Sequence, residues 1–164
     1  MIRRLIVLTA LLFSMLLFPR VLSAAPNATV ASPDGSLTVD IATDPDGRPS
    51  YAVSRRGKPI IAPSRLGFIL IDAPKFERNI TIANPRTRSF DERWEQPWGE
   101  RRFIRNHYNE LRVTLSETAK PKRSFDVVFR VYDDGLGFRY EFPNQPQLKQ
   151  IKVSEELTEF MLPD

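Results

Sequence analysis

The sequence predicts an all-β fold, a β-sandwich, on three observations. Apolar residues recur with a period of two in short runs, the pattern of strands with one buried face. Fourteen prolines, with Gly, Asn and Asp, punctuate those runs with turn chemistry. Little beyond residue 27 repeats at helical period. Eight or more short strands in one chain are enough for two packed sheets around one core.

The elements follow in order. Leu37, Val39 and Ile41 alternate with Thr38, Asp40 and Ala42, between the turns Pro33-Asp34-Gly35 and Pro45-Asp46-Gly47. Tyr51 and Val53 mark the next strand, which ends at Arg56-Gly57-Lys58, so the first three strands read as a meander. Residues 66–71 form a denser apolar run and predict a strand buried on both sides. Ile80 and Ile82 alternate within 76–90, and Leu111, Val113 and Leu115 within 110–117. Phe125, Val127, Phe129 and Val131 precede the turn Asp133-Asp134-Gly135, and Phe138, Tyr140 and Phe142 follow it. This is the clearest hairpin in the chain. Ile151 and Val153 predict a further strand, and residues 157–162 a last one.

Residues 1–24 read as a secretory signal peptide. Arg3 and Arg4 lead an uncharged run over 5–18, Pro19 breaks it, and Ser23, Ala24 and Ala25 offer a cleavage site. The run is shorter than the roughly 20 residues that a bilayer core requires, so no permanent membrane anchor is expected. The expectation is export to the periplasm or beyond, with a single mature domain over 25–164. The chain carries 24 Lys+Arg against 20 Asp+Glu, a net charge of +4. Arg3, Arg4 and Arg20 leave with the leader, so the mature domain is nearly neutral and has little general attraction for nucleic acid. There are no cysteines, so neither disulfides nor thiolate metal ligands hold the fold. At this length a core alone suffices, since such a domain buries roughly two-thirds of its unfolded surface.

Residues 91–110 break the alternation and predict a long loop. Both tryptophans, the only histidine and a concentration of carboxylates and arginines fall there. Crowded loops on β-scaffolds are common binding surfaces. Trp94, Trp98 and Tyr108 have faces on which sugars stack. Glu100, Asn106, His107, Asn109 and Glu110 have groups that bond hydroxyls or a protein partner. The candidate sugar-facing or partner-facing surface is therefore Trp94, Trp98, Glu100, His107, Asn109 and Glu110. The structural alternative is a surface ion-pair network of small net value, with both indoles covering the open end of the sandwich.

Catalytic constellations are missing. His107 stands alone, without a cysteine or a G-x-S-x-G elbow. No His/Asp/Glu cluster has metal-ligand spacing, and no glycine-rich phosphate loop is present. Glu95, Glu100 and Glu110 supply carboxylates, but spacing does not establish the paired separation that glycoside hydrolysis needs. No catalytic, cofactor or metal residue is assigned.

Six stretches carry a family resemblance. Trp94-Glu95-Gln96-Pro97-Trp98-Gly99-Glu100, with Asn106-His107-Tyr108-Asn109-Glu110-Leu111, resembles the N-terminal domain of glycoside hydrolase family 97. Ser32-Pro33-Asp34-Gly35, Pro63-Ser64-Arg65-Leu66-Gly67, Tyr132-Asp133-Asp134-Gly135-Leu136-Gly137-Phe138-Arg139-Tyr140-Glu141-Phe142-Pro143 and Glu156-Leu157-Thr158-Glu159-Phe160 agree with it, in order. The resemblance implies an exported α-glucosidase or α-galactosidase with an N-terminal β-supersandwich of galactose-mutarotase type. That domain packs on a catalytic (β/α)8 barrel, where calcium and glutamates act. None of the barrel lies in these residues, so no catalytic glutamate or calcium ligand is carried over, and the domain is expected to be incomplete at its C-terminus. Two rival readings are a stand-alone carbohydrate-binding module and a structural interaction domain.

Overall fold

The computed structural model describes residues 28–163; the expected leader lies outside them. Ten strands form: β1 (Ala28–Ala31), β2 (Leu37–Thr43), β3 (Pro49–Arg55), β4 (Lys58–Arg65), β5 (Phe68–Leu70), β6 (Ile80–Glu95), β7 (Phe103–Glu117), β8 (Ser124–Val131), β9 (Leu136–Glu141) and β10 (Val153–Glu156). No helix occurs among the described residues. Two antiparallel four-stranded sheets, β1-β2-β3-β4 and β6-β7-β8-β9, are supplemented by a short β5–β10 pair.

The period-two residues fill the space between the sheets. Leu37, Val39, Ile41, Tyr51 and Val53 come from one sheet, and Leu111, Val113, Leu115, Phe125, Val127, Phe129 and Val131 from the other; all are buried. Aromatic rings join the layers: Tyr51 lies 5.9 Å from Phe129, and Phe68 5.4 Å from Phe125 in an edge-to-face arrangement. The fold is thus the β-sandwich that the alternation predicts.

Two turns close one end of the sandwich. The Asp34 carboxylate accepts hydrogen bonds from the Ser32 hydroxyl (2.6 Å) and the Ser36 amide (2.8 Å), which shape the β1–β2 turn. These bonds hold the Asp34 carboxyl far below the usual carboxylate range, the Ser32 hydroxyl contributing most. The Asp34 amide in turn donates to Asp133 in the β8–β9 turn, 2.9 Å away, so one sheet is tied to the other. At the opposite turn, Gly47 adopts φ 67°, and a Cβ added there meets the Ile80 backbone nitrogen at 2.7 Å. Gly47→Ala is expected to cost about 2–4 kcal/mol, from left-handed strain together with a backbone clash. Urea unfolding of the two proteins measures it.

Four expectations need correction. Residues 66–71 are not a strand buried on both sides: β5 is three residues long, and Ile71 is half exposed. The Phe76 backbone pairs with Phe68 at the start of β5, and β10 pairs along its three residues. Ile80, not residue 76, begins β6. Residues 157–162 form no regular strand, yet they lie extended along β4 and β5. The amides of Leu157 and Glu159 donate to Gly67 and Arg65 carbonyls, and the Ala62 amide donates to Met161. Residues 91–110 are not a loop but the paired ends of β6 and β7, joined by a turn over 96–102.

Candidate functional site

The hairpin overhangs the sandwich. β6 and β7 have 16 and 15 residues, whereas the strands of the facing sheet have four to eight. Inward positions along β7 are Leu115, Val113 and Leu111 while a facing sheet covers them. At Asn109 the cover ends. Its side-chain amide donates to the Ala31 carbonyl of β1 at 2.9 Å and accepts from the Ser89 hydroxyl at 2.7 Å. Beyond it the inward positions become His107, Arg105 and Phe103, because nothing remains for an aliphatic side chain to pack against. That is why the alternation lapses without a loss of strand.

The overhang has two faces, fixed by register. Asp91 pairs with His107, Arg93 with Arg105 and Glu95 with Phe103 on the inner side. Phe90 pairs with Tyr108, Glu92 with Asn106 and Trp94 with Ile104 on the outer side. The inner side is largely self-paired. Arg105 grips Asp91 through two hydrogen bonds of 2.8 and 2.7 Å, and the Arg102 Nε donates to Glu95 at 2.7 Å. Arg93 lies 4.4 Å from the centre of the Phe103 ring. The Arg105 bonds hold the Asp91 carboxyl below its ordinary value against a smaller desolvation effect.

The candidate residues divide. Trp98, in the turn, is 84% exposed and Trp94 is 47% exposed, so neither indole covers the sandwich end. Glu100 is exposed beside Trp98 and forms no ion pair among the described residues. His107 is half-buried on the inner side, opposite Asp91. Asn109 ties the sheets together, as above. Glu110 is a correction: its carboxylate is buried and structural, not a free surface group. It accepts from the Nε of Arg88 at 2.8 Å and of Arg130 at 3.0 Å. Burial pushes the Glu110 carboxyl up, but the two guanidiniums together outweigh it and leave the net shift downward.

That shift makes a pH prediction. A carboxyl lowered on folding adds stability above the ordinary glutamate range, and the contribution disappears as pH falls through the folded value. Wild-type urea midpoints should therefore fall as the pH drops into the acid range, and Glu110→Gln should flatten that fall. A midpoint whose pH dependence is the same in both proteins would remove Glu110 from the account.

The sequence reading named Trp94 and Tyr108 but missed that they share an outer stripe with Phe90 and Ile104. Phe90 stacks on Tyr108 at 5.1 Å and 25°, Tyr108 meets Tyr132 at 5.2 Å, and Arg130 lies over the Tyr108 ring at 4.8 Å. The signal was available: apolar residues shift from odd positions at 111–115 to even positions at 104 and 108. As for metals, no group of three or more His, Cys, Asp or Glu among the described residues could hold an ion. The calcium implied for the full-length family enzyme has no fitting donor set here, and no role is derived for it. No helix among the described residues is long and apolar enough to cross a membrane.

Fold and site together define a β-sandwich module that carries a projecting, ring-bearing hairpin. The family model described as Glycosyl-hydrolase 97 N-terminal matches residues 30–164, and the chain belongs to that family. It is 31% identical over 142 residues to a retaining alpha-galactosidase of Bacteroides thetaiotaomicron, covering 87% of this chain and 20% of that protein. A probable retaining alpha-galactosidase of Streptomyces bingchenggensis is 29% identical over 113 residues, 69% of this chain and 17% of that protein. Among solved structures, a glycoside hydrolase family 97 enzyme from a Pseudoalteromonas species, in complex with panose, superposes with a TM-score of 0.78 and 38% identity, covering 82% of this chain and 20% of that one. The chain spans about a fifth of the length of these relatives.

Proposed function

We propose that this domain is the non-catalytic N-terminal module of an exported α-glycoside hydrolase, supporting a catalytic (β/α)8 barrel and lining one side of its sugar pocket with the hairpin turn. The observation that carries the reading is Trp98, 84% exposed in the turn at the end of the paired β6–β7 ribbon. A large indole held away from its own core is the kind of anchor that interfaces and sugar subsites use. The substrate class is an α-glucoside or α-galactoside, on the strength of the relatives named retaining alpha-galactosidases and the panose complex. Location in the periplasm or outside the cell rests on the leader pattern in residues 1–24.

The test uses nitrophenyl α-glucoside and α-galactoside with two proteins. One is the chain alone; the other is the Bacteroides relative with its matching segment replaced by residues 28–163. The chain alone should give no turnover, the chimera should be active, and Trp98→Ala in the chimera should lower kcat/KM on the order of tenfold. Turnover by the chain alone, abolished by replacing one of its own carboxylates, contradicts the reading. So does a chimera indifferent to Trp98.

A further inference from the structure

Gly137 is a glycine without a local reason. It lies inside β9, its φ is not positive, and a Cβ added there meets nothing within 4 Å. Glycine weakens a strand interior, and where neither backbone nor packing requires it, it often marks the close approach of a ligand. The register shows what surrounds it. Gly137 pairs with Arg130 of β8, one step along from the pair of Val128 with Arg139, on the face of the sheet turned away from the core. The missing side chain leaves a depression of about 210 Å3, lined by Val128, Tyr132, Arg130 and Arg139.

Both cations are held by bonds that leave donors over. Arg130 lies 4.8 Å over the Tyr108 ring and, among the described residues, donates only its Nε, to Glu110. Its two Nη groups are unspent. Arg139 bonds Glu141 through Nε and Nη2, which leaves Nη1. The two acids do not cancel these charges, because Glu110 is shared with Arg88 and Glu141 with Arg112. Over the body of the sandwich this face carries Arg86, Arg88, Arg112, Arg130 and Arg139 against Glu110, Asp126 and Glu141, so positive charge is in excess. A guanidinium fixed along one edge and stacked on a ring is pre-organised to receive an oxyanion on its free edge.

We infer that the depression over Gly137 binds a small oxyanion, held between Arg130 and Arg139. The site is separate from the hairpin turn and its tryptophans. Its size bounds the ligand: pockets for drug-sized molecules begin at roughly 300 Å3, so this one takes an inorganic oxyanion or a single acidic sugar, not an oligosaccharide. For a sugar acid the carboxylate meets the arginines, and Tyr132 and Val128 offer the ring an apolar surface.

Sulfate and glucuronate, titrated separately into the 15N-labelled chain at constant ionic strength, test the site, with glucose as the neutral control. The amide resonances of residues 136–139 are followed. At least one anion should shift them saturably, and glucose should not. Glucuronate alone would identify an acidic sugar as the ligand; sulfate alone, or both, an oxyanion whatever its carrier. Arg139→Gln should weaken binding about tenfold or more, since it removes a charged donor. Gly137→Val should abolish binding by filling the depression while every charge stays. Both variants should keep the fold, because position 137 has room for a side chain and Glu141 retains Arg112, and amide resonances elsewhere check this. Arg86→Gln removes a cation from the same face outside the depression and should leave the affinity unchanged. Failure of both anions to saturate, unaltered binding in Gly137→Val, or equal losses in Arg86→Gln and Arg139→Gln would each overturn the inference.

Discussion

Glu117→Ala should destabilise the domain by about 3–5 kcal/mol, because it strands a buried guanidinium. Arg123 sits 1% exposed in the turn between β7 and β8, and Glu117 is its counter-ion, accepting from both Nε and Nη2. The cation lies 4.6 Å from the Phe76 ring centre, and Nη2 also reaches the Lys75 carbonyl at 3.4 Å. Among the described residues Nη1 already lacks a partner, so none of them offers a spare acceptor to take over from the carboxylate. Removing the acid leaves the charge buried and unpaired. Removing both members, as in Glu117→Leu with Arg123→Met, should cost far less, since a packed apolar pair escapes the desolvation penalty. Urea denaturation of the three proteins measures both numbers. A single mutant as stable as wild type would show that water reaches Arg123.

Phe125→Ala and Trp98→Ala should differ sharply in their cost to stability. Phe125 is fully buried and touches four rings, those of Phe68, Phe76, Tyr140 and Phe142, at 4.8–5.8 Å. Its removal opens a cavity beneath both sheets and should cost about 3–5 kcal/mol. Trp98 has no ring partner among the described residues and is mostly exposed, so its removal should change stability within about 0.5 kcal/mol. Equal losses for the two would place Trp98 in the core and leave the hairpin without its proposed role.

Where a side chain's environment is set by its own strand, the sequence was readable. The alternation of Leu37-Val39-Ile41 and of Phe125-Val127-Phe129-Val131 located β2 and β8 almost to the residue. Asp133-Asp134-Gly135 located the hairpin between β8 and β9. Readings failed where the environment comes from elsewhere. The 66–71 run looks two-sided in composition, but its paired length is set by β10, which arrives from far along the chain. β1, with Val30 its one buried side chain, has too short a pattern to stand out.

The site shows the same division. Exposure of Trp94 and Trp98 was foreseeable from the lapse in alternation, because a ribbon without a covering sheet has no inner core to feed. That it stays a ribbon was missed, because the apolar period moves to the outer positions 90, 94, 104 and 108 while the inner ones carry surface pairs such as Asp91 and Arg105. Glu110 looked like one more surface acid. Its burial follows from Arg88 and Arg130, which lie 22 and 20 residues away in sequence on the neighbouring strands, a proximity only the register reveals.

The central claim is that the hairpin end is held out for a second body, and quenching of Trp98 fluorescence tests it most directly. With Trp94→Phe leaving Trp98 as the only indole of the chain, acrylamide is titrated into the isolated protein. The same titration follows on the chimera, made in a background without the relative's own tryptophans. The account predicts quenching close to that of a free indole in the isolated chain and strong shielding in the chimera. Shielding already present in the isolated chain, or quenching that is the same in both proteins, would contradict it.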